Sequence, residues 1–280
     1  MRIKQPRFLF MLSFFLVAML IVQMSLYSLH LFSNWNLMFS VLEACHNMLR
    51  AIGLSSMNML LEVLILSTFS LIVMIIAKQI YQYVTFSKRL SLLREDTATE
   101  QIIRNLDLGK QPLEVIRSDE PIALTYGMIR PKIVLSTELV SMLSEEELRA
   151  VIYHETFHQK HRDPLKKFII TLLVHVLWYV PILKWVSNHY HTLREIAADR
   201  FAMKEANMLD LSSALLKLLK SDHRQRHAFA VSFAETSVND RIQHILAPEK
   251  EVHVTLPVGT VLYSLYIVLG LSIMFMVATP

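Results

Sequence analysis

Cysteine is nearly absent from this sequence: Cys45 is the only one among 280 residues. No intrachain disulfide can form, so the fold has no cross-link of that kind and gives no sign of oxidative maturation. Glycine and proline are scarce as well, at 5 and 9, which favours long regular elements over loops. The chain also lacks a basic stripe with interleaved aromatics. With a net charge of only +4, direct nucleic-acid binding is not expected. The excess is apolar: 53% of the residues are hydrophobic and the mean hydropathy is +0.39. An ordinary soluble domain holds about 45–50% with glycine counted, so a lipid bilayer is the expected surrounding.

Three apolar runs are long enough to cross one. Residues 8–31 carry no charge, and a helix needs about 20 residues to span a bilayer core. The run outlasts the roughly 7–15 residues of a cleavable signal, which predicts an anchor. A second run, 54–84, is interrupted only by Glu62 and Lys78, and a third, 256–280, is uncharged. Arg2, Lys4 and Arg7 precede the first run, and Lys78, Lys88, Arg89 and Arg94 follow or end the second. The positive-inside bias therefore places the N-terminus and the segment after Val84 in the cytoplasm, as in a multi-pass membrane protein. Residues 30–53 read as an external loop or an interfacial stretch. The expected division is a membrane region at 1–86, a water-exposed domain at 87–250 and a last span at 251–280. Within the domain, a fourth apolar stretch at 168–186 is broken by Pro181. It reads as a short span, a re-entrant hairpin or a buried helix.

The domain itself is mainly α with a small β element. Lys132-Ile-Val-Leu135, after Gly127 and Pro131, predicts a short strand. Ser144 and Glu147 form a capping box, with Glu145 and Glu146 completing an acidic first turn. The helix they open continues through Leu148, Val151 and Ile152 and should stop near Asp163-Pro164. Further helices are predicted over 193–206 and 209–219.

On that capped helix sits His154-Glu-Thr-Phe-His158. Histidines four apart share one helix face, so both imidazoles reach one ion, and the intervening Glu155 is placed to take a proton from a bound water. Zinc accepts such nitrogens and needs a third protein ligand at a catalytic site. Glu195 is the best candidate, with Asp199 one turn on to accept the outer N–H of a ligating histidine. Ala197 and Ala198 allow the two helices to approach. This set requires His158 and Glu195 on one side of the membrane, so the stretch 168–186 must return or be buried. His161, His189 and His191 read as surface or cleft-lining residues, and His175 as a satisfied buried one.

From about Pro121 to Leu246 these residues resemble a known family, the BlaR/MecR-type antirepressor membrane metallopeptidases, related more distantly to HtpX-like and CAAX-prenyl proteases. The resemblance lies in Tyr126-Gly127, Arg130-Pro-Lys-Ile-Val-Leu135, Leu143-Ser-Glu-Glu-Glu-Leu148, the His154 motif and His161-Arg-Asp-Pro-Leu165. It continues in Trp178 and Pro181, Arg194-Glu-Ile-Ala-Ala-Asp199 and Asp240-Arg-Ile242. It implies a zincin-like, cytoplasm-facing Zn2+ endopeptidase domain between membrane helices. It further implies that Ile133, Val134 and Leu135 pair with substrate backbone, and that Arg241 orients or stabilises the site or makes a plain salt bridge. Proteins of that type continue into an extracellular penicillin-binding sensor domain. Here the sequence ends at Pro280 with nothing like its serine nucleophile motif, so covalent β-lactam sensing is not expected. The signal would come through the external segment, the membrane helices, a sensor partner or self-association. The expected function is cleavage of a cytoplasmic regulatory protein, such as a DNA-binding repressor. Quality-control proteolysis of membrane proteins and a non-catalytic membrane scaffold are the alternatives.

Overall fold

The computed structural model describes residues 15, 17–25, 56–106, 111–222, 241–242 and 256–278. The expected first span is thus described only at residues 15 and 17–25, which are helical; residues 30–53, Cys45 and Asp240 lie outside the described residues. Among the described residues the chain is mainly helical with one small mixed sheet, and it divides into two compact units. One comprises Met1–Ile80, Ile170–Tyr190 and His253–Pro280; the other comprises Tyr81–Ile169 and His191–Val252.

Two described helices are long and apolar enough to cross a membrane: Met59–Leu93, within α1 (Ser56–Leu93), and Val258–Phe275, within the last helix. Their outward faces expose Leu66, Val73, Leu262 and Tyr266, a surface that water penalises and acyl chains do not. Inward, Val17, Leu20, Val180, Leu183 and Val268 form a buried cluster, and Met24, Leu61, Ile65 and Phe275 another. The fourth apolar stretch contributes to the first cluster and is not one helix. It ends one helix at Val176 and begins another at Ile182. The Ile182 N–H, a helix-start donor without a partner in its own helix, donates to the buried Ser264 hydroxyl at 3.0 Å. The helix expected from 193 therefore starts eleven residues earlier, because the end of the apolar stretch and the ligand-bearing segment are one continuous helix. His175 is correspondingly exposed rather than buried, its Nδ1 bonded to the Thr171 carbonyl oxygen.

In the second unit α2 (Asp96–Asn105) leads to β1 (Leu113–Ile116), β2 (Ala123–Tyr126) and β3 (Lys132–Ser136). Strand order is β1-β3-β2, with β1 parallel and β2 antiparallel to β3. Ile133, Val134 and Leu135 thus lie in the central strand, fully buried and paired on both edges. They have no backbone groups left for a substrate, and that expectation is corrected. The outer edge of β1 is also taken, by Glu95 N–H to Val115 O at 2.8 Å and Arg117 N–H to Leu93 O at 2.7 Å. Among the described residues, the outer edge of β2 is open. Ser136 N–H donates to Ile122 O at 2.9 Å, and bonded pairs alternate along an antiparallel ladder. The outward-pointing main-chain groups of β2 are therefore those of Ala123 and Thr125.

After the short α3 (Thr137–Met142), α4 (Glu145–Lys160) lays Leu148, Val151 and Ile152 against the core built on Val115, Ile133 and Leu135. Its capping box is complete: Ser144 caps the Glu147 N–H and Glu147 accepts from the Ser144 N–H. Glu147 is buried, and it also accepts from Lys217 Nζ at 2.7 Å and from the Ser213 hydroxyl. Burial alone would raise its pKa, but these donors win and hold the carboxyl below its ordinary value. The sign of the linkage follows: the stabilisation is full above the unfolded value of about 4.3 and fades as pH falls through the lower folded value. Thermal unfolding of Glu147→Gln against the wild type should show a deficit at pH 7 that shrinks in acid. A deficit that does not change with pH would contradict this account.

Candidate metal centre

Three helices build the site: α4, α5 (Asp163–Val176) and α6 (Ile182–Glu205). His154 and His158 lie one turn apart on α4 with their Nε2 atoms 3.2 Å from each other. Glu195 of α6 places Oε2 at 3.4 Å from His154 Nε2 and Oε1 at 3.6 Å from His158 Nε2. Small residues permit this approach: Ala150 on α4 and Ala198 and Ala202 on α6 are wholly buried. The three residues lie close enough together to hold one metal ion. An ion with tetrahedral ligands at about 2.0–2.2 Å sets neighbouring ligand atoms about 3.3–3.6 Å apart. The nearest contacts, 3.2–3.6 Å with each Glu195 oxygen facing one histidine, lie close to that spacing.

The outer ring nitrogens decide the protonation state. His158 Nδ1 lies 2.8 Å from Asp163 Oδ2, and His154 Nδ1 lies 2.9 Å from Asp199 Oδ1. The second contact is of hydrogen-bond length but off the ideal angle. Ionised carboxylates only accept, so each Nδ1 carries the proton and each Nε2 turns a lone pair inward. Two lone pairs and the Glu195 carboxylate therefore converge on one point, which suits a cation. Each aspartate is itself gripped by an arginine. Arg194 reaches both oxygens of Asp163 at 2.6 and 2.7 Å and lies over the Phe157 ring at 4.5 Å. Arg241 bonds both oxygens of Asp199 at 2.8 Å and comes within 3.6 Å of Glu195.

The electrostatics point the same way. Burial would lower the His154 pKa, but hydrogen bonds with Asp199 and Glu195 overcome it and push the group up to about 9. Burial opposes ionisation of Glu195 as well, yet the hydrogen bond and charge of His154, with the charges of His158 and Arg241, hold it well below the usual carboxylate range.

Glu155 is buried beside the ligands, on the helix face toward β2. The Thr125 hydroxyl contacts its carboxylate Oε2 at 2.8 Å and its carbonyl oxygen at 2.9 Å. A strand residue whose backbone lines the open edge thus also fixes the carboxylate. Gln159 ties the same helix to the sheet, donating to the carbonyl oxygens of Pro112 and Pro131 at 3.1 and 3.0 Å.

The structure brings together His154, His158, Glu195, Asp199 and Arg241, with Glu155 on the same turn as the histidines. It does not bring Ile133, Val134 or Leu135 to an open edge. His161 stays out of the ligand group, stacked on Phe157 at 4.2 Å, and His189 packs on Trp185. Sequence reasoning assigned no role to Asp163, Arg194 or Thr125. The signal for Asp163 was its place five residues after His158 and before Pro164. Arg162 adopts φ +51°, a left-handed residue that ends α4 and starts α5 with Asp163 aimed back at His158. Asp163→Ala should weaken metal binding about 10–100-fold, the usual cost of losing such a partner. Competition against a fluorescent chelator measures it, and unchanged affinity would deny Asp163 that role.

Residues 16–245 match the family described as BlaR1 peptidase M56. The regulatory protein BlaR1 of Bacillus licheniformis is 31% identical over 125 residues, 42% of this chain and 21% of that protein. A protease HtpX homologue of Archaeoglobus fulgidus is 36% identical over 89 residues, 31% of this chain and 26% of that protein. The methicillin resistance mecR1 protein of Staphylococcus aureus is 24% identical over 129 residues, 44% of this chain and 22% of that protein. The matching segments thus span about a quarter or less of these relatives' own length.

Proposed function

The chain belongs to the BlaR1 peptidase M56 family, and from that premise we propose that it is a multi-pass membrane zinc endopeptidase with a zincin-like site facing the cytoplasm. The observation that carries this reading is the convergence of His154, His158 and the Glu195 carboxylate, with contacts of 3.2, 3.4 and 3.6 Å, beside a glutamate held by Thr125. His154, His158 and Glu195 hold the ion. When bound, zinc lowers the pKa of its water towards about 7 and polarises a carbonyl. Glu155 takes the water's proton and delivers it to the leaving amine. Asp163 and Asp199 keep both imidazoles in the tautomer that ligation needs, and the arginines keep both aspartates ionised and in place. The substrate lies extended along β2, pairing with the outward main-chain groups of Ala123 and Thr125.

The substrate class we favour is a cytoplasmic regulatory protein. The relative named regulatory protein BlaR1 supports it, and so does the placement of basic residues around the spans. A second reading, quality-control proteolysis of membrane proteins, draws on the similarity to an HtpX homologue. Comparing new N-termini in cells carrying wild-type protein or Glu155→Ala tests both. One or a few defined sites in a soluble factor support the first. Broad cleavage of damaged membrane proteins supports the second. Identical N-termini in both strains would contradict either.

A further inference from the structure

The hairpin joining β2 to β3 ends in an apolar point. Gly127 adopts φ +107°, and a Cβ there would come within 2.8 Å of the Arg130 carbonyl oxygen, so only glycine fits this turn. The turn leaves Ile129 at its tip, 74% exposed, beside the exposed Arg130. Hairpin tips in water ordinarily carry glycine, asparagine or aspartate. A large aliphatic side chain in that place adds nothing to the packing of the fold.

The root of this hairpin is clamped to α1. The Tyr126 hydroxyl donates to the Tyr83 carbonyl oxygen at 2.7 Å. Its ring stacks on Tyr83 with centroids 5.1 Å apart and meets Phe86 edge-on at 4.9 Å. Those residues stand where the apolar run of α1 ends. Tyr81 and Tyr83 are exposed there, and the exposed Lys88 and Arg89 follow. Exposed tyrosines with basic residues just beyond them mark the headgroup level of a spanning helix.

We propose that the β2–β3 hairpin tip docks on the bilayer: Ile129 enters the boundary between headgroups and acyl chains, while Arg130, Lys88 and Arg89 meet anionic headgroups. Lipid is the occupant because the tip is tethered at headgroup level and pairs an aliphatic point with cationic neighbours, the composition of an interfacial anchor. Docking lays the open edge of β2 beside the membrane, where membrane-proximal extended segments reach Glu155 first.

The inference rests on α1 crossing the bilayer, so its test carries a control for that. In full-length Cys45→Ser protein, single cysteines are placed by Val73→Cys, Ile129→Cys and Glu120→Cys. Val73 is an exposed residue of the α1 run, and Glu120 lies before the opposite end of β2. Each variant is labelled with an environment-sensitive fluorophore in phosphatidylcholine/phosphatidylglycerol nanodiscs, with or without lipids brominated near the headgroup end of the acyl chain. The expected result is loss of most emission at Val73 and Ile129, with none at Glu120. Loss at Val73 alone, with the Ile129 label open to aqueous iodide, overturns the docking and leaves the spanning of α1 intact. No loss at Val73 overturns the spanning of α1 and the docking with it.

Discussion

Glu155→Gln retains its metal and loses about 10²–10⁴-fold in peptide hydrolysis, the usual contribution of a positioned acid–base group. The substitution keeps the shape of the side chain and an oxygen that accepts from the Thr125 hydroxyl, so neither α4 nor its histidines have reason to shift. Only the basicity goes. The measurement pairs elemental analysis of purified, detergent-solubilised protein with turnover of an unstructured protein substrate. Full metal with collapsed turnover is the expected pair. Near-normal turnover would assign the base elsewhere, and metal loss would make Glu155 a support of the ligand group instead.

His158→Ala loses both. It removes one corner of the triangle and leaves Glu195 and His154 as the remaining donors. Dividing a typical zinc-site binding free energy among its ligands, zinc affinity should fall by about 10²-fold or more, and hydrolysis with it. The variant should still fold, because Asp163 keeps its bidentate partner Arg194 and the core of α4 lies on the face carrying Leu148, Val151 and Ile152. Metal content and a melting curve on one preparation separate the cases. A stable protein without metal supports ligation. A stable protein with its metal retained removes His158 from the site.

Much of the site was legible along the chain because helices state their faces in sequence. The four-residue spacing of His154 and His158 and the cap at Ser144 survive into three dimensions, since both are set within one helix. The four-residue step from Glu195 to Asp199 works likewise, giving one carboxylate to the ligand group and the other to a ring N–H. Strand order is a tertiary property, and the expected pairing of Ile133, Val134 and Leu135 with substrate fails because their strand is the central one. Yet Ile133-Val134-Leu135 carried a usable sign: three apolar residues in a row mark a strand covered on both faces, where an edge strand tends to alternate. Thr125, in the strand with the open edge, has no motif to announce it. Asp163 was hidden for another reason. Its contact with His158 depends on the left-handed turn at Arg162, and arginine is not the residue one expects there. The break at 177–181 was announced by Pro181, whereas the continuity from Ile182 to Glu195 was concealed by the change from apolar to charged composition midway along α6.

The open edge of β2 has a bearing on what the protein selects. The main-chain donors and acceptors of Ala123 and Thr125 are nearly indifferent to the letters of a target sequence, but intolerant of structure already made. A helix or a strand paired on both sides has no spare peptide groups to give. Susceptibility would then track how often a segment comes loose from its own domain. On the proposed peptidase reading, a change that loosens the target, such as release from a partner, would expose it to cleavage without any alteration in this chain.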